Sequence, residues 1–147
     1  MNYTEAAALL RGQDHILILT HKRPDGDTIG CAVALCQALR EQGKIAAVLP
    51  NEDATSLFTP YLEGYLAEEG FQPYFVVSVD IAGRQLFTPG GEVWLQRGID
   101  LAIDHHPSYE GFAAQSCVDP TRAACGELVY DLIRQWGPVS PAAALPL

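Results

Sequence analysis

Apolar residues follow two patterns along the chain. Four short runs are continuously apolar and rich in β-branched residues, which is typical of buried strands. These predicted strands are residues 15–21, 44–50, 74–80 and 99–104. Two longer segments repeat apolar residues at helical spacing and predict helices over 28–43 and 123–137, each ending at a glycine. Residues 51–70 are mixed and predict one or two short helices.

The alternation of strands and helices predicts the fold class. We expect an α/β domain with a mostly parallel β-sheet and helices on both faces. Thr4 is the expected cap of a short amphipathic helix at the N-terminus. At the other end, "PVSPAAALPL" offers Ser140 as a cap and Pro141 in the first turn, but no stop signal. We therefore expect the N-terminal part of a protein about twice as long.

Polar side chains follow three of the predicted strands. The first strand leads into "HKRPDGD", the third ends in aspartate, and the fourth ends in "DHHPS". Because the carboxyl ends of parallel strands share one edge of the sheet, these side chains are expected to converge on one cleft. The residues concerned are His21, Asp25, Asp27, Asp80, Asp104, His105 and His106.

Each motif has a simpler explanation when taken alone. Asp25-Gly26-Asp27 is often a turn followed by a helix cap, and Asp80 could cap a turn. Together, however, clustered carboxylates repel unless cations neutralise them. Oxygen and imidazole donors without a thiolate favour Mn²⁺, with Mg²⁺, Co²⁺ or Fe²⁺ as alternatives, over structural zinc. Two such ions would suit the hydrolysis of phosphoesters or phosphoanhydrides.

Charge and cysteine content narrow the range of partners. The net charge of −9 argues against a basic surface for long duplex nucleic acid. No apolar run is long enough to predict a membrane span.

The four cysteines lack C-x-x-C spacing, so we expect the buried, reduced thiols of a cytoplasmic protein. They are Cys31, Cys36, Cys117 and Cys125.

Three segments together resemble a known family. "HKRPDGDTIGC", "VVSVD" and "AIDHHPS", in this order, resemble the first three motifs of the DHH phosphoesterases, over about residues 15–137. "IDHHPS" most resembles the branch of nano-RNases that also dephosphorylate 3′-phosphoadenosine 5′-phosphate. RecJ-type single-strand exonucleases, cyclic dinucleotide phosphodiesterases and manganese-dependent pyrophosphatases are the alternatives within the family. A non-catalytic metal- or nucleotide-binding fragment is the alternative outside it.

The resemblance also implies a role for each residue. One ion would be held by His21 and Asp25, the other by Asp27 and His105, and Asp80 would bridge both. The substrate phosphate would face His106. Asp104 would orient the histidines, a support that metal-bound imidazole usually has. The implied catalytic residues are thus Asp80, Asp104, His105 and His106.

The sequence departs from the family pattern in two ways. Cys31 stands where a serine is common, which we interpret as a change in helix packing. The fourth motif, with a further metal-binding Asp, and the glycine-rich C-terminal domain are not found in residues 1–147. We therefore expect an incomplete catalytic domain, weak or inactive by itself, from a parent that binds two Mn²⁺ ions. The expected substrate is a short oligonucleotide or phosphorylated nucleotide, with no membrane partner, and a homodimer is left open.

Overall fold

A five-stranded, entirely parallel β-sheet forms the centre of the computed structural model, which describes residues 1–147. The strands, in the sheet order β2-β1-β3-β4-β5, are β1 (Ile16–Leu19), β2 (Ala46–Val48), β3 (Phe75–Val79), β4 (Ile99–Asp104) and β5 (Ala113–Val118). The helices are α1 (Tyr3–Arg11), α2 (Gly26–Glu41), α3 (Thr59–Leu62), α4 (Pro89–Arg97), α5 (Cys125–Ile133) and α6 (Pro141–Ala144), with 3₁₀ turns at Arg84–Leu86 and Arg134–Trp136. None of these helices has the length and apolar character needed to cross a membrane.

The sheet separates two apolar clusters, which confirms the predicted α/β class. On one face, α1, α2 and α5 pack against inward side chains such as Ile18 and Val77. On the other face, Leu17 and Val76 belong to a smaller cluster, against which Trp94 of α4 packs. Alternate residues of a strand point to opposite faces, so a strand covered on both sides is apolar throughout. This explains the uninterrupted apolar character of β3, whose five residues are all buried.

The ends of two helices differ from those predicted. The first helix is capped by Asn2 and not by Thr4, because Asn2 and Glu5 exchange reciprocal hydrogen bonds at the first turn. The second helix, α2, begins at Gly26, two residues before the predicted start. Its cap is Asp25, whose carboxylate accepts the backbone N–H of Thr28 at 3.0 Å.

Two elements were not predicted at all. The segment that forms β5 has only one fully buried residue, Cys117, and therefore shows little apolar signal. The segment that forms α4 begins with Pro-Gly-Gly, which is poor in helix propensity. The predicted cap of the last helix is confirmed, since Ser140 Oγ accepts the backbone N–H of Ala143 at 3.1 Å.

The cysteines are free and buried, as predicted. Burial raises the pKa of the Cys36 thiol to about 11, and likewise that of Cys117 to about 11. Both are therefore neutral thiols packed as small apolar side chains.

Candidate metal centre

The predicted site residues lie together at the carboxyl edge of the sheet. The strands β1, β3 and β4 are neighbours, and their pairing aligns Leu19 with Ser78 and Val79 with Ile103. Since these three ends are level, the residues that follow each strand meet above the same edge. The structure thereby brings together all seven predicted residues: His21, Asp25, Asp27, Asp80, Asp104, His105 and His106.

Asp80 occupies the middle of this cluster. Its side chain is almost fully buried, with Oδ1 3.3 Å from Nε2 of His105 and Oδ2 3.7 Å from Nε2 of His21. The backbone of Asp80 has a φ of 61°, a left-handed conformation that aspartate tolerates better than most residues. This conformation is held by a hydrogen bond from its N–H to the carbonyl of Ile103 at 2.9 Å. Each carboxylate oxygen therefore faces a different histidine.

Two groups of potential metal ligands share Asp80. The first consists of His21, Asp25 and Asp80, and the second of Asp80, His105 and His106. Within each group, one donor atom from each residue lies within 4.8 Å of the others. Asp27 adjoins the second group, with Oδ2 3.7 Å from Nε2 of His105. A shared carboxylate between two donor sets suits a pair of cations.

The rings of His21 and His105 are held by backbone carbonyls. Nδ1 of His21 donates to the carbonyl of Lys22 at 2.7 Å, and Nδ1 of His105 donates to the carbonyl of Arg122 at 3.1 Å. A carbonyl only accepts, so the hydrogen of each neutral ring must be on Nδ1. Nε2 of both rings is then a lone-pair donor directed at Asp80, as metal ligation requires.

The ring of His106 has a different partner. Its Nδ1 lies 2.7 Å from Oδ1 of Asp104, a fully buried carboxylate. Asp104 thus holds one of the two adjacent histidines, whereas a backbone carbonyl holds His105. The side chain of His106 is 39% exposed, so its Nε2 is available to a ligand in the cleft.

The electrostatics of the cluster favour the binding of cations. Burial raises the pKa of Asp80, and the nearby charges of Asp27 and Asp25 raise it further. Burial acts to lower the pKa of His21, but the nearby carboxylates of Asp80 and Asp25 and the carbonyl of Lys22 outweigh it and the pKa is raised. Oδ1 of Asp80 and Oδ2 of Asp104 are buried without a hydrogen-bond partner. Oxygen and imidazole donors with unsatisfied buried oxygens fit bound divalent cations.

Two further contacts at the site were missed by the sequence interpretation. The thiol of Cys31 donates to Oδ1 of Asp27 at 3.6 Å, so this residue contacts the site as well as packing in the helix. Asn51 Nδ2 donates to the carbonyl of His21 at 2.9 Å and to Oγ1 of Thr20 at 2.8 Å. In the sequence, Asn51 stands out only by its position directly after Pro50, at the end of the predicted strand 44–50.

The fold and the cluster define an α/β domain with a carboxylate–imidazole centre at the carboxyl edge of a parallel sheet. A sequence profile described as the DHH family, N-terminal domain, matches residues 15–145. The chain belongs to the DHH family.

Two curated relatives carry the same name. The bifunctional oligoribonuclease and PAP phosphatase NrnA of Thermus thermophilus is 30% identical over 131 residues, covering 80% of this chain and 36% of the relative. Its namesake from Bacillus subtilis is 26% identical over 137 residues, covering 88% of this chain and 41% of the relative. The chain thus spans about two fifths of the length of these relatives.

Two solved structures share the fold. An exopolyphosphatase-related protein from Bacteroides fragilis superposes with a TM-score of 0.81 at 23% identity, over 98% of this chain and 47% of that one. The exonuclease RecJ bound to manganese superposes with a TM-score of 0.56 at 16% identity, over 99% of this chain and 42% of that one. Both show that the arrangement of the sheet and its helices recurs in larger proteins.

Proposed function

We propose that this chain is the catalytic domain of a two-metal phosphoesterase that hydrolyses short oligoribonucleotides and 3′-phosphoadenosine 5′-phosphate. The observation that carries the proposal is the position of Asp80, whose two oxygens lie 3.3 Å and 3.7 Å from Nε2 of His105 and His21 respectively. The names of the relatives support the substrate class.

The proposed cofactor is Mn²⁺, with Mg²⁺ or Co²⁺ as alternatives. The donor set of carboxylates and imidazoles suits these ions, and the manganese bound to the structurally similar RecJ supports the choice. One ion would be held by His21, Asp25 and Asp80, and the other by Asp27, Asp80 and His105. When bound, such a pair of ions would lower the pKa of a coordinated water molecule and would stabilise charge on phosphate oxygens.

His106 is the proposed contact to the substrate phosphate. In the imidazolium form both ring nitrogens donate, so Nδ1 can donate to Asp104 while Nε2 donates to a phosphate oxygen. The buried carboxylate of Asp104, 2.7 Å from Nδ1, thereby orients the ring.

Charge favours a short substrate over a long one. Long strands are usually held by many contacts between phosphates and basic side chains. The chain has only nine Lys and Arg residues against eighteen Asp and Glu residues. A two-metal centre, in contrast, needs a single phosphate in place. We expect a preference for oligonucleotides of about two to five residues, a length implied by the family resemblance.

The test is Mn²⁺-dependent turnover of a diribonucleotide, a long single strand, pyrophosphate and a cyclic dinucleotide by the full-length parent, measured side by side; residues 1–147 alone are expected to be weak or inactive. The dinucleotide should react fastest, and 3′-phosphoadenosine 5′-phosphate should release phosphate. Asp80→Asn should abolish turnover, whereas Glu92→Gln removes an exposed carboxylate on α4 and should retain it. Faster cleavage of the long strand would assign the exonuclease class, and turnover of pyrophosphate alone the pyrophosphatases. Binding of Mn²⁺ without any turnover would favour a non-catalytic domain.

A further inference from the structure

The guanidinium of Arg122 joins the loop after β5 to the helix α5. Its Nε donates to Oδ2 of Asp119 at 3.0 Å, and its Nη1 donates to Oδ2 of Asp131, a residue of α5, at 2.5 Å. Cζ of Arg122 also lies 5.8 Å from the ring centroid of Tyr3 in α1. The side chain is only 22% exposed, so solvent screens these contacts less than those of a free surface arginine. Arg122 therefore ties the loop to two helices.

The backbone of the same loop holds two of the candidate metal ligands. The carbonyl of Arg122 accepts a hydrogen bond from Nδ1 of His105 at 3.1 Å. Three and four residues further along, the N–H groups of Cys125 and Gly126 each donate to the carboxylate of Asp27 at 2.9 Å. In the proposed function, His105 and Asp27 are ligands of the same ion. The position of one short segment thus fixes both of them.

The other candidate ion does not depend on this loop. Nδ1 of His21 donates to the carbonyl of Lys22, and Asp25 is the cap of α2. All three residues belong to the short stretch of chain that joins β1 to α2. A displacement of the loop at Arg122 should therefore affect one ion and spare the other.

The contacts of Arg122 indicate an anchor for the loop. An arginine that binds a phosphate uses free N–H donors, whereas Nε and Nη1 of Arg122 are already paired with carboxylates. No other side chain of residues 119–124 makes a hydrogen bond outside the loop, since the hydroxyl of Thr121 donates to Asp119. The residue before α5, Ala124, has no side chain that could cap the helix. Arg122 thus makes the only polar side-chain link between the loop and α5.

We propose that Arg122 is a positioning residue for the candidate ion held by Asp27, Asp80 and His105, an inference that rests on the proposed function. Its guanidinium keeps the loop against α5. The backbone of the loop then keeps Nε2 of His105 directed at Asp80 and the carboxylate of Asp27 beside that ring. Loss of an outer partner of a metal-bound histidine commonly weakens metal binding by about 10–100-fold. Because Arg122→Ala leaves the carbonyl in the chain, we expect the lower end of this range.

The first test observes the ring of His105 without metal. Nitrogen NMR in chelator, at an alkaline pH where the rings are neutral, distinguishes a hydrogen on Nδ1 from one on Nε2. In the wild type, His21 and His105 should both carry it on Nδ1. Arg122→Ala should remove this preference at His105 and retain it at His21. Arg97→Ala is the matched control, because Arg97 also pairs with an aspartate three residues away at 3.0 Å, but before β4 and not beyond it.

The second test measures Mn²⁺ binding by calorimetry in two variant backgrounds. His21→Gln removes a ligand of the other ion, so binding there reports the ion beside Asp27 and His105. Adding Arg122→Ala to this background should weaken Mn²⁺ binding about tenfold. In the His105→Gln background the same addition should leave the remaining affinity unchanged. A merely destabilised protein would not show this contrast.

A second variant keeps the test decisive if Arg122→Ala does not fold. Asp131→Ala removes the partner on α5 and retains Arg122, so it should cause the same changes to a smaller extent. An unchanged ring of His105 in the folded variants, or equal weakening in both backgrounds, would overturn this inference and leave the phosphoesterase proposal standing. Failure of the wild type to bind Mn²⁺ would overturn both proposals.

Discussion

The carboxylate of Asp27 accepts the backbone N–H of Cys125 at 2.9 Å, although 98 residues separate them. It also accepts the N–H of Gly126 at 2.9 Å. The residue before α5 is Ala124, whose side chain cannot cap the helix. Asp27 therefore satisfies the free N–H groups at the start of α5, in addition to its position beside the candidate metal centre.

Replacing Asp27 should destabilise the protein even without metal. We expect Asp27→Ala to lower the free energy of unfolding by about 1–2 kcal/mol, the usual effect of losing a helix cap. The measurement is urea unfolding in the presence of a chelator. Adding Ala124→Ser should restore part of the loss, because Ala124 has the extended backbone of a capping residue. Equal stability of Asp27→Ala and wild type would contradict this role.

Replacing Asp80 should stabilise the metal-free protein, whereas replacing Asp27 should destabilise it. Asp80→Asn removes a buried charge, and asparagine tolerates the φ of 61°. The metal-free variant should therefore unfold at a higher temperature than the wild type at neutral pH. Saturating Mn²⁺ should stabilise the wild type, by about 2.7 kcal/mol at a hundred times Kd, and leave the variant unchanged. Thermal melts with and without Mn²⁺ measure both effects, and a metal response in Asp80→Asn would contradict the shared-ligand arrangement.

The metal-free protein should lose stability as the pH rises. Burial raises the pKa of Asp80 above the ordinary 3.8, so the folded state binds this proton more tightly than the unfolded state. This stabilisation is complete below the unfolded pKa and is lost as the pH rises through the folded pKa. The raised pKa of His21 acts in the same direction above its ordinary 6.5. Melting temperatures test the prediction when they are measured in chelator from below the ordinary 3.8 of Asp80 to above the ordinary 6.5 of His21.

Asp80→Asn supplies the control for this pH dependence. Hydrogen bonds from Ile45 and Thr121 lower the pKa of Asp14 and Asp119 respectively, and these groups stabilise the protein above their pKa. Because they are present in both proteins, their effect cancels in the difference between wild type and variant. The advantage of the variant should grow with pH; a constant difference would show that Asp80 does not titrate in this range.

The two adjacent histidines should have different roles. We expect His105 to act in Mn²⁺ binding and His106, held by Asp104, to act in turnover. His105→Gln should weaken Mn²⁺ binding, since its Nε2 lies 3.3 Å from Asp80 Oδ1. Asp104→Asn, which disturbs only the partner of His106, should retain Mn²⁺ binding and lower turnover by about 10–100-fold. Calorimetry with Mn²⁺ and dinucleotide hydrolysis by the full-length parent give the two readouts. Loss of Mn²⁺ binding in Asp104→Asn would instead place His106 among the ligands.

Most positions of the site residues could be predicted because they stand at or just beyond the end of an apolar strand. Asp80 ends "FVVSVD" and Asp104 begins "DHH", so the predicted parallel sheet was sufficient to bring them to one edge. The hydrogen bond of Asp27 to α5 could not be predicted, because its partner is a backbone N–H far along the chain. The same is true of Asn51, whose polar contacts depend on how two loops meet.

The unpredicted elements owe their structure to contacts between distant residues. The strand β5 pairs with β4 over its length, and this pairing compensates for its exposed side chains. The helix α4 is capped by Thr88, whose Oγ1 accepts the N–H of Gly91 at 3.0 Å, and Trp94 packs it on the sheet. Neither effect is visible in local apolar periodicity.

The parallel connectivity of the sheet also has a kinetic consequence. Residues that follow β1, β3 and β4 form the candidate metal centre, so this centre is complete only when these three strands have paired. Pairing of parallel strands joins residues far apart in sequence and is among the slower events in folding. A metal ion that needs the finished centre binds after this slow step, and so lowers the unfolding rate while leaving the folding rate unchanged. Mn²⁺ would therefore act chiefly on how long each folded molecule persists.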